Sequence, residues 1–276
     1  MTQFLLTIDV GNTQTVVGIY EEGQTVSGNP ATGLVGHWRV ATVADRTEDE
    51  MAVLIDGFLA ADDRDFQQDI YGVAISSGVP RVTASLRQMV NRYLDCEPVM
   101  IAPGIKTGIS ILYDNPREVG ADRIANAAGA YDLCQSACIV VDFGTGTTFD
   151  AISDKGEYLG GAIAPGVEIS LDALVGRAAA LRAVELTKPR SVIGKSTVES
   201  IQSGVLYGYA AQVDGLCDLF IDEMQSAVSG PAASGDVKIL ATGGIADSIV
   251  PFTSSIKRVE PWLTLHGLRI IWEKNQ

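Results

Sequence analysis

Asp9, Gly11, Asn12, Thr13 and Thr15 stand close together in "TIDVGNTQTVVGIY", residues 7–20, where an apolar run meets a turn and then resumes. A carboxylate at a strand end can hold a hard cation, directly or through water. A glycine beside it lets the backbone approach a ligand closely. Successive N–H groups flanked by hydroxyls form a cradle for phosphate oxygens. The same set recurs 133 positions on, in "VVDFGTGTTFDAIS", residues 140–153. Asp9 falls on Asp142, Gly11 on Gly144, Asn12 on Thr145, Thr15 on Thr148 and Ile19 on Ile152. Two such turns facing each other across a cleft could grip the two ends of a nucleoside triphosphate. A single copy reads equally well as a Gly-rich hairpin whose aspartate satisfies loop amides; the repetition favours a nucleotide.

The elements that must position these turns also come twice. Residues 3–9 and 14–20 read as strands joined by the Asp-Val-Gly-Asn-Thr turn, and "GHWRVAT" alternates as a third strand. The pattern predicts a helix over 47–61 with Asp45 as its cap, a strand at 70–76, a helix near 81–94 and a short strand at 98–101. An Ala-rich helix over 117–135 closes this half, with Asn115, Pro116 and Glu118 as N-cap, first-turn proline and capping-box acid. The order then restarts with "ACIVVDF", "TTFDAIS" and "YLGGAIA" as strands. Two helical stretches follow, the longer over about 196–224, then the strand "VKILATGG", a last strand at "SIKRVE" and a helix or irregular return over 260–272. This is an internal duplication of an α/β unit, with expected halves at 1–136 and 137–276. Residues 21–35 read as a mobile hairpin loop between the second and third strands.

Composition narrows the classes. The chain has 276 residues, 46% apolar and 20% charged, enough to build one large or two medium domains. No apolar run approaches the ~18 residues that cross a bilayer, and "MTQFLLTIDV" reads as a core strand, so the expected compartment is the cytosol. A net charge of −14 argues against nucleic-acid and anionic-membrane partners, which need a basic face. It does not exclude phosphate held by backbone N–H groups and a metal ion. Cys96, Cys134, Cys138 and Cys217 form no CxxC pair and read as reduced, part-buried thiols.

The order of motifs resembles the acetate kinase, sugar kinase, heat-shock ATPase and actin superfamily: "DVGNT" is similar to its first phosphate motif, "DFGTGTT" to its second and "ATGGIA", 241–246, to its adenosine motif. Two ribonuclease H-like domains with a nucleotide cleft between them are the implied fold. "YDNPREVGADR", 113–123, narrows this further. With "HWRVAT", "RTEDE", "GGAIAPG" and "GKSTVESIQSG", it resembles the type III pantothenate kinase family over nearly the whole chain. Gly146 departs from the pattern, since the second phosphate motif there usually carries alanine.

That resemblance implies ATP-dependent phosphorylation of pantothenate, the first step towards coenzyme A, by a homodimer. It implies ATP contacts from Asp9, Val10, Gly11, Asn12, Thr13, Gln14, Thr15, Val16 and Thr145, with magnesium travelling with ATP. Asp142 matches the ligand of a monovalent cation, potassium or ammonium. Tyr113, Gly120, Ala121, Asp122, Arg123 and Thr197 match the pantothenate contacts, and Asp122 the proton acceptor. Read on their own chemistry, these residues leave alternatives. Arg123 suits an anion or a structural ion pair, and Tyr113 a substrate hydrogen bond or a core position. Thr197 could simply cap a helix, and Asp122 could answer a helix dipole. Asp150 fits either a second cleft carboxylate or an ordinary hairpin. "GKST" is not a P-loop, because position 189 is Pro. Ala125, Ala127, Ala128, Gly129 and Ala130 would permit close helix–helix approach, either at a dimer contact or against the chain's own second half. Another small-molecule kinase or phosphatase of the superfamily, or a non-catalytic nucleotide-binding regulator, are the competing functions.

Overall fold

A computed structural model describes residues 2–24, 29–177, 184–226, 232 and 235–276. In chain order the elements are β1 (Phe4–Val10), β2 (Gln14–Glu21), β3 (Leu34–Ala41), α1 (Glu48–Ala60), β4 (Ile70–Ser77), α2 (Pro80–Tyr93), β5 (Val99–Met100), β6 (Ser110–Ile111) and α3 (Ala121–Cys134). They continue as β7 (Cys138–Phe143), β8 (Gly146–Ile152), β9 (Glu157–Pro165), α4 (Val167–Arg177), α5 (Thr197–Ser226), β10 (Lys238–Thr242), α6 (Ala246–Ile249), β11 (Arg258–Val259) and α7 (Leu263–Glu273). Two compact units result, Met1–Leu133 with Trp262–Gln276, and Cys134–Pro261.

The first unit carries a sheet in the order β3-β2-β1-β4-β5. β1 and β2 form an antiparallel hairpin, β2 and β3 another, while β4 and β5 run parallel to β1. The second unit repeats the arrangement with β9-β8-β7-β10-β11. Three antiparallel strands extended by two parallel ones, made twice, are two ribonuclease H-like folds, as the motif order implied.

Burial on both faces explains why β1 is mostly apolar, with Thr7 and Asp9 as its polar residues. Leu6, Ile8 and Val10 enter a core with Met51, Ile55 and Leu59 of α1 and Leu86, Met89 and Val90 of α2. Leu5 faces the other way, into a second cluster with Ala74, Ala125, Leu265 and Leu268. A strand buried on both faces is apolar on both, and the buried Thr7 hydroxyl is satisfied by the Gly18 carbonyl at 3.1 Å. In the second unit Ile139, Val141 and Phe143 pack with Phe149 and with Val205, Leu206 and Val213 of α5.

The end of the chain departs from the expected halves. Trp262–Gln276 belongs to the first unit, because α7 is amphipathic and lays Leu265 and Leu268 on β1's second face. Glycines allow the approach: a Cβ on Gly267 would stand 1.8 Å from the Ala125 carbonyl oxygen, and one on Gly129 2.9 Å from that of Leu263. The small residues of α3 are thus consumed inside the chain, with Ala125, Ala127, Ala128 and Ala130 all buried.

α7 also anchors the loop after β2. Arg269 lies over the Tyr20 ring at 4.8 Å and donates to the carbonyls of Gln24 (3.2 Å) and Thr32 (2.7 Å). Burial pushes the Tyr20 hydroxyl well above its usual range, with Arg269 pulling it partly back. Residues 25–28 of the expected mobile loop lie outside the described residues. Two helix starts also differ from expectation. Thr47, not Asp45, caps α1 in a full capping box with Glu50, while Asp45 pairs with Arg81 at 2.5 Å. Asn115 and Pro116 open a 3₁₀ turn, Pro116–Glu118, rather than α3. Val119 is extended, and α3 begins only after Gly120.

Candidate active site

In the first unit the turn is built by three strands. Val10 pairs with Thr15 and Asp9 with Val16, leaving Gly11, Asn12 and Thr13 to connect β1 to β2. The Gly11 N–H donates to the Gln14 carbonyl at 3.0 Å. Thr42, just past β3, reaches back: its N–H donates to the Thr13 carbonyl at 2.9 Å and its hydroxyl to the Gly11 carbonyl at 2.8 Å. The buried Thr15 hydroxyl lies 2.8 Å from that of Thr42. Gln14 accepts a bond from Arg39 at 2.9 Å. Gly11, Asn12, Thr13 and Gln14 are exposed, so the cradle opens to solvent.

The second turn is shorter. Phe143 pairs with Thr147 and Asp142 with Thr148, so only Gly144 and Thr145 connect β7 to β8. The Gly144 N–H donates to the Gly146 carbonyl at 3.1 Å. Thr147, not Thr148, therefore holds the register position of Thr15, and the uniform 133-residue shift fails beyond the turn. Glycines crowd the Asp142 carboxylate. A Cβ on Gly243, whose φ is +96°, would come 2.6 Å from its Oδ1, and one on Gly144 3.6 Å. Gly166 takes the place that Thr42 has in the first unit. A Cβ there would come 2.2 Å from the Thr145 carbonyl oxygen. The Tyr209 hydroxyl of α5 holds this backbone, lying 3.1 Å from the carbonyls of Pro165 and Gly166 and 2.5 Å from Ser170 Oγ. Backbone packed this close to the carboxylate leaves no room for a side chain at position 243.

Of the remaining expected residues, 120–123 and Thr197 fall at two helix starts, and Tyr113 lies ahead of the Pro116–Glu118 turn. Asp122 is exposed on the first turn of α3, and its Oδ1 accepts the Arg123 N–H at 2.9 Å. A Cβ on Gly120 would lie 2.5 Å from that oxygen, so the residue before α3 must be small for the carboxylate to fold back. Ala121 opens the helix, Arg123 is buried and Tyr113 is half-buried. Thr197 is the exposed first residue of α5. The cap is Ser196, whose Oγ accepts the Glu199 N–H at 3.3 Å, while Glu199 also accepts from the Lys195 N–H. Thr197 therefore does not cap this helix. Asp150 is a hairpin residue, buried and accepting from Tyr158 (2.8 Å) and Thr148 (3.2 Å).

Sequence reasoning gave no role to Thr42, Gly166 or Tyr209. Thr42 and Gly166 sit inside quoted motifs, "HWRVAT" and "GGAIAPG", but their service to the turns depends on strand register. Tyr209 lies deep in α5 and leaves no local signal.

The family model described as type III pantothenate kinase matches residues 5–219. The chain belongs to the type III pantothenate kinase family. Type III pantothenate kinases from Streptomyces griseus subsp. griseus and Streptomyces avermitilis are each 49% identical over 275 residues, covering 98% of this chain and 98% of theirs. One from Koribacter versatilis is 47% identical over 273 residues, covering 99% of this chain and 96% of its own. Among solved structures, a Baf family transcriptional activator from Campylobacter jejuni matches with a TM-score of 0.58 at 17% identity, covering 98% of both chains. The ethanolamine utilization protein EutJ from Carboxydothermus hydrogenoformans matches at 0.52 and 12%, covering 97% of this chain and 89% of its own. At those identities they show the shared fold alone. The blocks singled out above, from the first turn to the start of α5, fall inside the span matched by the type III pantothenate kinase family. Among the described residues, no helix is long and apolar enough to cross a membrane.

Proposed function

We propose that this chain transfers the γ-phosphoryl group of ATP to the primary hydroxyl of pantothenate, the opening step towards coenzyme A. The observation that carries the reading is the pair of Asp–Gly turns at equivalent ends of two duplicated sheets, in a member of the type III pantothenate kinase family. The first turn, with Asp9, Val10, Gly11, Asn12, Thr13, Gln14, Thr15 and Val16, holds ATP phosphates, and Thr145 of the second turn joins it. Asp142 holds potassium or ammonium. Magnesium bound with ATP would neutralise charge on the phosphate oxygens, with Asp9 as a partner through water.

Tyr113, Gly120, Ala121, Arg123 and Thr197 hold pantothenate, with Arg123 suited to its carboxylate. Asp122 receives the proton of the attacking hydroxyl. A carboxylate is too weak a base to strip an alcohol beforehand. Phosphoryl transfer passes through a loose transition state, so the nucleophile's proton leaves late and positioning does most of the work. Asp122 therefore orients the hydroxyl first and accepts its proton afterwards. Assembly as a homodimer in the cytoplasm is part of the proposal on family grounds only, and sedimentation tests the mass.

The deciding experiment is coupled ADP release with ATP and magnesium, comparing pantothenate with a panel of sugars and potassium with sodium. Pantothenate-dependent release in potassium supports the reading; release driven by a sugar instead defeats it. In the same assay Asp122→Asn should keep ATP affinity and lose about 10²–10⁴ in turnover. Near-normal turnover would remove Asp122 from the chemistry.

A further inference from the structure

We infer that Thr42 is a positioning residue for the ATP-phosphate turn, acting through a hydroxyl chain of fixed direction that runs from Thr15 to Thr42 to the Gly11 carbonyl. This rests on the reading of the first turn as a phosphate cradle. Thr42 lies outside the turn, one residue past β3, yet it touches the connection at both ends. Its N–H donates to the Thr13 carbonyl at 2.9 Å and its Oγ1 to the Gly11 carbonyl at 2.8 Å. A carbonyl only accepts, so the single Thr42 hydroxyl proton is committed to Gly11. Thr15 Oγ1, 2.8 Å away, is then the donor in the remaining contact.

Two consequences follow from that direction. Thr15 is buried and its hydroxyl proton is spent on Thr42, so that hydroxyl supports the turn from beneath, and a phosphate contact of Thr15 falls to its backbone. Gly11 has both backbone groups engaged, its N–H by Gln14 and its carbonyl by Thr42. The peptide plane after Gly11 is therefore fixed, and with it the direction of the Asn12 N–H. Preorganised backbone donors bind phosphate best when they need no rearrangement. The second unit has no such chain, because Gly166 stands at the register position of Thr42 and has no hydroxyl. The brace is particular to the first turn.

The test compares Thr42→Val, which keeps the shape and loses the hydroxyl, with Thr42→Ser, which keeps the hydroxyl. Hydrogen exchange of the peptide spanning residues 9–16, with and without ATP and magnesium, runs alongside on the parent protein. The expected result is protection of that peptide by ATP, a roughly tenfold weaker ATP affinity in the valine variant, and recovery to within about threefold in the serine variant. The KM for pantothenate should stay unchanged, which a general loss of structure would not allow. If the valine variant does not fold, Thr42→Cys, similar in size with a much weaker donor, replaces it with the same expected direction. ATP protection of the peptide with parent-like ATP affinity in the valine variant overturns the role of Thr42 and leaves the phosphate turn standing. Absence of protection overturns the turn assignment itself. A serine variant as weak as the valine variant also defeats the inference, since it would trace the effect to the methyl group.

Discussion

The two phosphate-type turns are built to one plan and held by opposite means. In the first, a three-residue connection is tied down by side-chain hydroxyls, with Thr42 bonding the Gly11 and Thr13 backbone. In the second, a two-residue connection is held by the absence of a side chain. Gly166 lets its strand press against Gly144 and Thr145, and Tyr209 clamps the strand from behind. The longer connection is bonded directly by a neighbouring hydroxyl, whereas the shorter one is packed against backbone that a hydroxyl holds in turn. Duplication thus preserved strand order and the aspartate at the strand end, while the bracing diverged.

The hardest way to break this contrast is Gly166→Ala. Its Cβ would meet Thr145 and Gly144 backbone atoms at 2.2 and 2.7 Å, which no side-chain movement relieves. A loss of about 2–3 kcal/mol in unfolding free energy is expected, measured by denaturant titration. A loss below about 0.5 kcal/mol, the level of an unremarkable surface change, would show that the second turn is not held by packing. Tyr209→Phe should be milder, at about 0.5–1.5 kcal/mol, because it removes the hydroxyl and leaves the ring in place. An unchanged midpoint in the same titration would make the clamp incidental. Gly146→Ala sharpens the comparison at the small end. A Cβ there would meet only Ala164 oxygen at 3.4 Å and Ile163 at 3.8 Å, both ordinary contacts. Gly146 has no positive φ, so alanine should be neutral or stabilise by about 0.4–1 kcal/mol through the unfolded chain. Destabilisation beyond 1 kcal/mol would reveal a tightness at the turn that the geometry lacks.

Much of this architecture was legible because local signals agreed. β1, β2, β7 and β8 are apolar runs broken at Asp-x-Gly, and the structure places both turns there. The length difference between the turns was invisible, because "GNTQT" and "GTGTT" align without a gap, and only the pairing of Phe143 with Thr147 exposes the missing residue. The capping box of α1 was readable as Thr47 and Glu50 in "RTEDE", but Asp45 is as good a cap by type, and only the helix geometry separates them. Pro116 pointed to a helix start and found a 3₁₀ turn, since the extended Val119 delays α3 until after Gly120. The service of Thr42 to a turn some thirty residues away depends on β3 pairing with β2, which periodicity cannot report.

The placement of α7 has a consequence for how this polypeptide comes into being. The first unit spans Met1–Leu133 and Trp262–Gln276, whereas the second is one unbroken stretch. On the ribosome, which delivers the amino terminus first, the unit begun earlier is finished last. Until residues 262–276 emerge, Leu5 and Ala74 lack Leu265 and Leu268, and Gln24 and Thr32 lack Arg269. Residues 134–261 therefore leave the ribosome before the segment 262–276 that covers this face of the first unit.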